Sequence, residues 1–476
     1  MEPRPDFNFK ANIGRALADR QLRRNLKNAM DGLIIKRKAV FADPDELAEL
    51  RDLGGAIKAR ALSRLPDLLE QLEARCTRNG IQVHWAETTG EANDIVLSIL
   101  RRHGATRMVK GKSMVSEEMG LNHFLESHGV EVVETDLGEF IIQLAGEPPS
   151  HIIVPAVHKN KDQIARIFHE KIPGTAYTEE VAELNAIARR NLRRKFFDGQ
   201  VGLSGVNFAV AETGTLCLLE NEGNGRMCTT VPPVHIAVMG LEKVVERLDE
   251  LPPLIRLLTG SATGQLITTY VNLITSPRKP GEKDGPKEVH LLILDNGRSE
   301  ILADPELRQT LRCIRCGTCL NHCPVYVRIG GHAYGFVYPG PIGSVLTPQI
   351  EGLDKAGDLT TASSLCEACG EVCPVRIPLP DLIRRMRSEC YCRGQGCRVT
   401  GHGCKRNLLE SIAWRAWALL NTHPGLNALN TAVLGKIGHR LPRLGPLAAW
   451  TSMRTAPRFA ENSLHKRVKA EGIAHE

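Results

Sequence analysis

The chain is short of aromatic residues, of long apolar runs and of any strong excess of one charge. Aromatics make up 4% of its 476 residues, too few for the stacking platforms that hold single-stranded nucleic acids. Lys and Arg number 61 against 54 Asp and Glu, a net charge of +7. No basic arm points to a nucleic-acid partner. A membrane span needs about 20 consecutive apolar residues, and the longest runs, such as Ile152–Val154 and Leu291–Leu294, are strand-length. The start, Met1-Glu2-Pro3-Arg4-Pro5-Asp6, lacks the apolar core of a secretory signal. The expected location is therefore cytoplasmic, with peripheral membrane association only through partners. No Gly-x-Gly-x-x-Gly follows a strand. Thr106 stands where a Walker loop ending in Gly111-Lys112-Ser113 needs glycine. A nicotinamide, flavin or P-loop site is thus not indicated, and Lys110 and Lys112 read as a solvated loop.

What is present is an ordinary globular balance, 42% apolar and 24% charged, at a length of about three folding units. Leucines at helical spacing predict helices over Leu47–Leu62 and Leu65–Arg78, within a first hundred residues that read as helical. Short β-branched runs then alternate with helical patterns. Strands are expected at Val130–Val133, Phe140–Leu144, His151–Val154, Asn207–Ala211, Thr215–Leu219, His235–Met239 and Val289–Leu294. Helices are expected at Lys161–Lys171 and Glu179–Phe196. This alternation implies an α/β domain with a mainly parallel sheet. Pro277–Lys287 reads as a loop, Gly330–Pro348 as an ordered Gly/Pro-rich loop, and Leu408–Leu420 and Leu426–His439 as helices. The expected division is 1–305, 306–390 and 391–476.

Cysteine is the abundant exception. Eleven of 14 cysteines lie between Cys313 and Cys404, whereas Cys76, Cys217 and Cys228 are scattered. In a reducing compartment such clustering indicates metal ligands rather than disulfides. Cys313-x2-Cys316-x2-Cys319-x3-Cys323-Pro324 matches the bacterial ferredoxin run. Two-residue gaps let three sulfurs wrap one cubane, and the fourth cysteine ligates the other cluster. Paired Cys-x2-Cys spacings also suit zinc, but four cysteines so spaced before proline favour iron–sulfur. Cys366-x2-Cys369-x3-Cys373-Pro374 repeats the last three positions. By the crossing rule Cys313, Cys316, Cys319 and Cys373 hold cluster 1, and Cys323, Cys366 and Cys369 hold cluster 2. The fourth position of cluster 2 falls on Ser363. That leaves a [3Fe–4S] cluster, a [4Fe–4S] cluster with serine, water or an external ligand, or completion by a distal cysteine. Cys390, Cys392, Cys397 and Cys404, with His402, fit no standard metal spacing.

Outside the cysteines the signals are weaker. Glu212, before Thr213-Gly214-Thr215, is a candidate catalytic carboxylate or a turn anchor. His151, His158 and His169 read as structural histidines.

Four segments and the two cysteine motifs, in order, carry a family resemblance; the segments are Val132-Val133-Glu134-Thr135-Asp136-Leu137-Gly138-Glu139, Ala211–Thr215, Gly260-Ser261-Ala262-Thr263-Gly264-Gln265 and Leu294-Asp295-Asn296-Gly297-Arg298. Over roughly 50–475 the chain resembles the lactate utilization B family of bacterial iron–sulfur proteins. The resemblance implies an N-terminal LUD domain similar to CoA transferases and ribose-phosphate isomerases. It also implies a mainly helical ferredoxin module and a helical C-terminal region. The seven cysteines would carry two clusters, both [4Fe–4S] or the second [3Fe–4S], in a component that relays electrons from L-lactate oxidation. The implied partners are two sister proteins, one with a Cys-rich domain and one with a second LUD domain. The alternatives are another 2-hydroxy acid such as glycolate, or an LUD-domain enzyme with its substrate near Glu212. A redox-sensing regulator is a third class, unsupported by any DNA-binding motif.

Overall fold

The computed structural model describes residues 8–391, 408–437, 460, 462 and 464–472. Internal packing divides the chain into two compact units, Met1–Gly403 and Cys404–Glu476. In the second, helices Leu408–Thr422 and Pro424–Ile437 fall where the leucine patterns place them.

The first unit is built on a six-stranded parallel sheet. Its strands are β1 (Gln82–Ala86), β2 (Arg107–Lys110), β3 (Glu131–Glu134), β4 (Val201–Gly205), β7 (Val234–Gly240) and β10 (Glu288–Leu294), in the order β1-β10-β7-β4-β2-β3. A smaller sheet contains β5 (Phe208–Val210), β6 (Thr215–Glu220), β8 (Val244–Val245) and β9 (Tyr270–Ile274), in the order β8-β5-β6-β9. The mainly parallel α/β reading of the sequence therefore holds.

The period-two geometry of a strand sorts side chains to opposite faces. In β7, Ile236 and Val238 pack with Val96 and Leu100 of helix Thr89–Arg102, while Ala237 and Met239 pack with Leu65, Leu68 and Leu72 of helix Leu65–Arg78. Leu292 and Leu291 of β10 divide the same way. Both faces are covered, which is why these strands are apolar without alternation. The second face also receives Leu311, Tyr338 and Leu346 from the cysteine region. That region is thereby seated directly on the sheet.

Helices Pro44–Ser63, Lys161–Lys171 and Val181–Asp198 agree with the helical patterns of the sequence. Three expectations are corrected. Phe140–Leu144 lies within a helix, Leu137–Ala145. Asp136 caps it by accepting from Gly138 N and Glu139 N, and Gly146 ends it at φ 67°. These caps outweigh the β-branched composition. His151–Val154 is a turn, closed when His151 Nδ1 accepts from Ile153 N (3.0 Å) and Val154 N (3.2 Å). Gly330–Pro348 is largely helical, because Gly340–Glu351 is a helix with Pro341 in its first turn, where the missing N–H costs nothing. Strands β1, β2, β4, β8 and β9 went unread in the sequence. They are short, and Gly202 of β4 admits the Cys228 carbonyl where a Cβ would stand 1.9 Å away.

Two histidines are fully buried in the sheet. His235 bonds Ser204 Oγ (2.9 Å) and His290 bonds His84 (3.1 Å). Burial first, and then His290 acting on His235 and His84 acting on His290, lowers them to about 3 and about 4. The unfolded chain protonates them near the ordinary histidine value of about 6.5, and the folded chain does not. Acid therefore favours unfolding below that value. Each proton contributes up to about 1.4 kcal/mol per pH unit. The denaturant midpoint should fall between pH 7 and pH 5, and His235→Gln should flatten that slope.

Candidate iron–sulfur centre

The two cysteine motifs are presented by tight, irregular backbone. Cys313 follows the 3-10 helix Leu307–Arg312, Cys319 lies in the short helix Thr318–Asn321, and Cys369 in Ala368–Val372. Five non-glycine residues among those described have positive φ. Four of them flank these cysteines: Arg315 (61°), Leu365 (55°), Glu367 (67°) and Arg376 (54°). Such backbone is disfavoured and persists where the surroundings enforce it. Its result is a set of N–H groups turned onto sulfur. Arg315 N donates to Cys313 Sγ (3.4 Å), Tyr326 N to Cys323 Sγ (3.5 Å) and Ile377 N to Cys373 Sγ (3.3 Å).

Cys313, Cys316, Cys319 and Cys373 line one small cavity, about 360 Å³ with the space open to solvent included. Its other walls are mostly apolar, including Ile152, Ile342, Val375 and Leu379. Cys323, Cys366 and Cys369 line no part of it. They act electrostatically on one another, Cys366 on Cys323 and both on Cys369. Cys323 and Cys369 are buried, whereas Cys366 is exposed. Burial raises the Cys373 thiol to about 11 and the Cys369 thiol to about 12, and it raises Cys316 and Cys319 further. Four convergent thiols, amide donors on their sulfurs and dry walls fit a thiolate-ligated iron–sulfur group, which takes the thiols deprotonated.

The rest of the molecule grips these loops. Arg51 of helix Pro44–Ser63 donates to the Cys373 carbonyl (2.9 Å) and the Gly370 carbonyl (3.2 Å), and Arg37 of helix Arg20–Val40 donates to the Val372 carbonyl (3.3 Å). His151 bonds Asn321 Oδ1 (2.9 Å), so its Nε2 carries the proton while Nδ1 accepts. Tyr326 Oη donates to the Ser150 carbonyl (2.6 Å). Gly331 comes so close to that carbonyl that a Cβ would stand 1.9 Å from it. The turn at 150–154 is thus the seat of the first motif.

Other candidates are placed elsewhere. Ser363 precedes Cys366, and its Oγ accepts from Leu365 N (3.1 Å). Cys390 is half-buried, with Sγ against the Gly357 carbonyl (3.8 Å). Cys392, Cys397, Cys404 and His402 lie outside the described residues. Glu212 is exposed, and its carboxylate accepts from Leu248 N (3.0 Å), holding a turn. The solvated reading of Lys110 is corrected. It is fully buried and bonded to Glu134 (2.5 Å) and Glu117 (3.0 Å). Lys112 is half-buried and donates to the Ile153 carbonyl (2.6 Å).

Sequence reasoning missed a buried ion network behind the first motif. Arg298 is fully buried, paired with Glu118 (2.7 Å) and Glu242 (2.8 Å), while Arg315 reaches Glu242 (3.2 Å) and stacks on Tyr338 (4.7 Å). The signal lay in the segment Leu294–Arg298, but its partners are distant in sequence.

A parallel α/β domain carrying a dicluster cysteine module defines the class, an LUD-domain iron–sulfur protein. Family models agree along the chain: "LUD domain" matches 69–294, "4Fe-4S dicluster domain" matches 309–377, and "Lactate utilisation protein B, C-terminal" matches 385–473. The chain is 41% identical to lactate utilization protein B of Bacillus licheniformis, covering 94% of each, and 40% identical to that of Shouchella clausii, covering 98% and 97%. It therefore belongs to the lactate utilization protein B family. It is also 44% identical to the uncharacterized electron transport protein YkgF of Escherichia coli K12, over 88% of this chain and 86% of that one. A DUF162 family protein from Deinococcus radiodurans overlays 48% of this chain and 98% of its own at 14% identity, with a TM-score of 0.28, a level that does not establish a shared fold. No helix among the described residues is long and apolar enough to cross a membrane.

Proposed function

We propose that this chain is the electron-transfer component of a complex oxidising L-lactate to pyruvate. Cys313, Cys316, Cys319 and Cys373 hold cluster 1, and Cys323, Cys366 and Cys369 hold cluster 2. The observation that carries this reading is the shared cavity of four cysteines drawn from two motifs. Both clusters are read as [4Fe–4S]; the second has three cysteine ligands, and [3Fe–4S] is its alternative. The partners are the two sister proteins of the family's system, one Cys-rich and one with a second LUD domain, and the location is cytoplasmic. The α/β part, 1–305, is read as the CoA-transferase and ribose-phosphate-isomerase type, followed by the cluster module at 306–390 and a family-specific region at 391–476.

Iron–sulfur clusters supply one-electron transfer at a potential set by charge, hydrogen bonds and exposure. The chain's own residues supply those settings. Arg315, Lys58 and Lys243 act on Cys313, and Arg51 and Arg37 on Cys373, so the charge of buried thiolates is offset. Apolar walls exclude water from the first set. The exposed Cys366 brings the second set to the surface, where a partner can approach.

The chain purified without air should contain about eight irons and eight sulfides. Alone, it should not reduce a dye with L-lactate. With both sister proteins present, L-lactate should bleach the visible absorbance of the clusters. Zinc without sulfide, or lactate oxidation by the chain alone, would sink the reading.

A further inference from the structure

A second cavity, of about 1500 Å³ including its open mouth, adjoins the first. It lies at the carboxyl ends of the parallel strands, against Gly111 and Ser113 after β2 and Gly205 and Asn207 at the end of β4. Strand β2 connects onward to β3 on one side, and β4 to β7 on the other. The two are adjacent, so this is the point where strand order reverses. Open parallel sheets bind their ligands in that crevice.

One wall carries two buried cations. Lys243 is 7% exposed, and it has no hydrogen-bond or ion-pair partner among the described residues. Arg315 is 8% exposed. It spends Nη2 on Glu242, and its buried Nη1 has no partner. An unpaired buried cation is costly and calls for an anion. The Glu242 carboxylate and the Cys313 sulfur meet part of that demand. However, Lys243 lines the second cavity and not the cysteine cavity, whereas Arg315 lines both. The cavity's acids are engaged elsewhere. Asp136 caps a helix, Glu220 accepts from Gly225 N and Arg226 N, and Glu222 accepts from Leu137 N. The remaining surface mixes apolar Val238 and Leu258 with Asn207 and Thr259, suited to a short carbon chain bearing a hydroxyl or carbonyl.

We propose that this cavity binds a small 2-hydroxy or 2-oxo monocarboxylate, its carboxylate received by Lys243 and Arg315 on the wall shared with the Cys313 set. The choice of 2-hydroxy and 2-oxo acids rests on the proposed function, while the demand for an anion rests on the two cations alone. Arg315 then touches both ligand and cluster loop, so occupancy of the cavity is felt at cluster 1.

The test is calorimetric titration of the full chain, purified without air and loaded with iron, using L-lactate, pyruvate and inorganic phosphate, with EPR of the reduced protein in parallel. L-lactate or pyruvate should bind one per chain and alter only the cluster signal lost in Cys316→Ala. Phosphate should neither bind nor compete. Lys243→Met should weaken binding by about thirtyfold or more when samples are compared at equal iron content, and Lys243→Arg should restore much of it. No binding of either acid to the loaded chain overturns the proposal, as does equal binding by Lys243→Met. Displacement by phosphate overturns the carboxylate class. If partner-dependent bleaching by L-lactate persists without such binding, the relay reading stands and only this site falls.

Discussion

Alanine at Cys373 should abolish the same iron–sulfur signal as alanine at Cys316, although the two residues belong to different motifs. Alanine at Cys366 should abolish the other signal. Iron should fall from about eight to about four per chain in each variant. The expectation follows from geometry, because Cys373 lines the cavity with the three leading cysteines of the first motif, while Cys366 acts on Cys323 and Cys369. The grip of Arg51 and Arg37 on the 370–373 carbonyls should keep the loop in place when the sulfur is removed, so that one cluster can be lost alone. EPR of the dithionite-reduced variants reads the result. If Cys373→Ala and Cys366→Ala erase the same signal, the ligands do not cross between motifs and the assignment is wrong.

Arg298→Met should be the most destabilising single change in the α/β part, by about 3–5 kcal/mol. Arg298 donates to both Glu118 oxygens (2.8 and 2.7 Å), to Glu242 (2.8 Å) and to the Asp295 carbonyl (2.9 Å), all inside the protein. Burial would raise the Glu242 carboxyl, but Arg298, Arg315 and Lys243 outweigh it and hold the group at about 2. A depressed carboxyl contributes stability above its unfolded value of about 4.3 and loses it as pH falls towards 2. Methionine reverses the sign. Two carboxylates are left buried without that cation, their pKa values rise, and protonation relieves the variant. Its deficit in denaturant midpoint should therefore be larger at pH 8 than at pH 5.5. A deficit independent of pH would mean that lost packing, not stranded charge, sets the cost.

The sequence marked the candidate cluster ligands because ligand spacing is local. Cys-x2-Cys-x2-Cys confines three sulfurs within one turn of chain whatever surrounds them. It also announced the sheet, since Val289–Leu294 and His235–Met239 are buried on both faces and read as unbroken apolar runs. It misled where local chemistry outranks composition. Phe140–Leu144 has the residues of a strand but the caps of a helix. Gly330–Pro348 has the residues of a loop, yet Pro341 is at home in a first turn. It was silent where the site is assembled from afar. Lys243 and Arg315 are 72 residues apart, and nothing near either marks it as a cavity wall. Lys110 shows the same blindness. A lysine beside glycine looks solvated until Glu134, 24 residues on, is seen to be 2.5 Å away.

The two ligand sets are nested along the chain, and this has a topological consequence. With the assignment proposed, Cys319 to Cys373 is an outer clasp, and Cys323 to Cys366 an inner one. Iron at the outer clasp ties the ends of a segment whose interior the inner clasp ties again. The inner one, with Cys366 at the surface, would be the first that oxidant reaches, and its loss would leave the segment pinned. Opening the outer one would leave the second motif held by Arg51 and Arg37 alone. Damage should thus follow an order, the exposed inner metal first and the buried outer metal last.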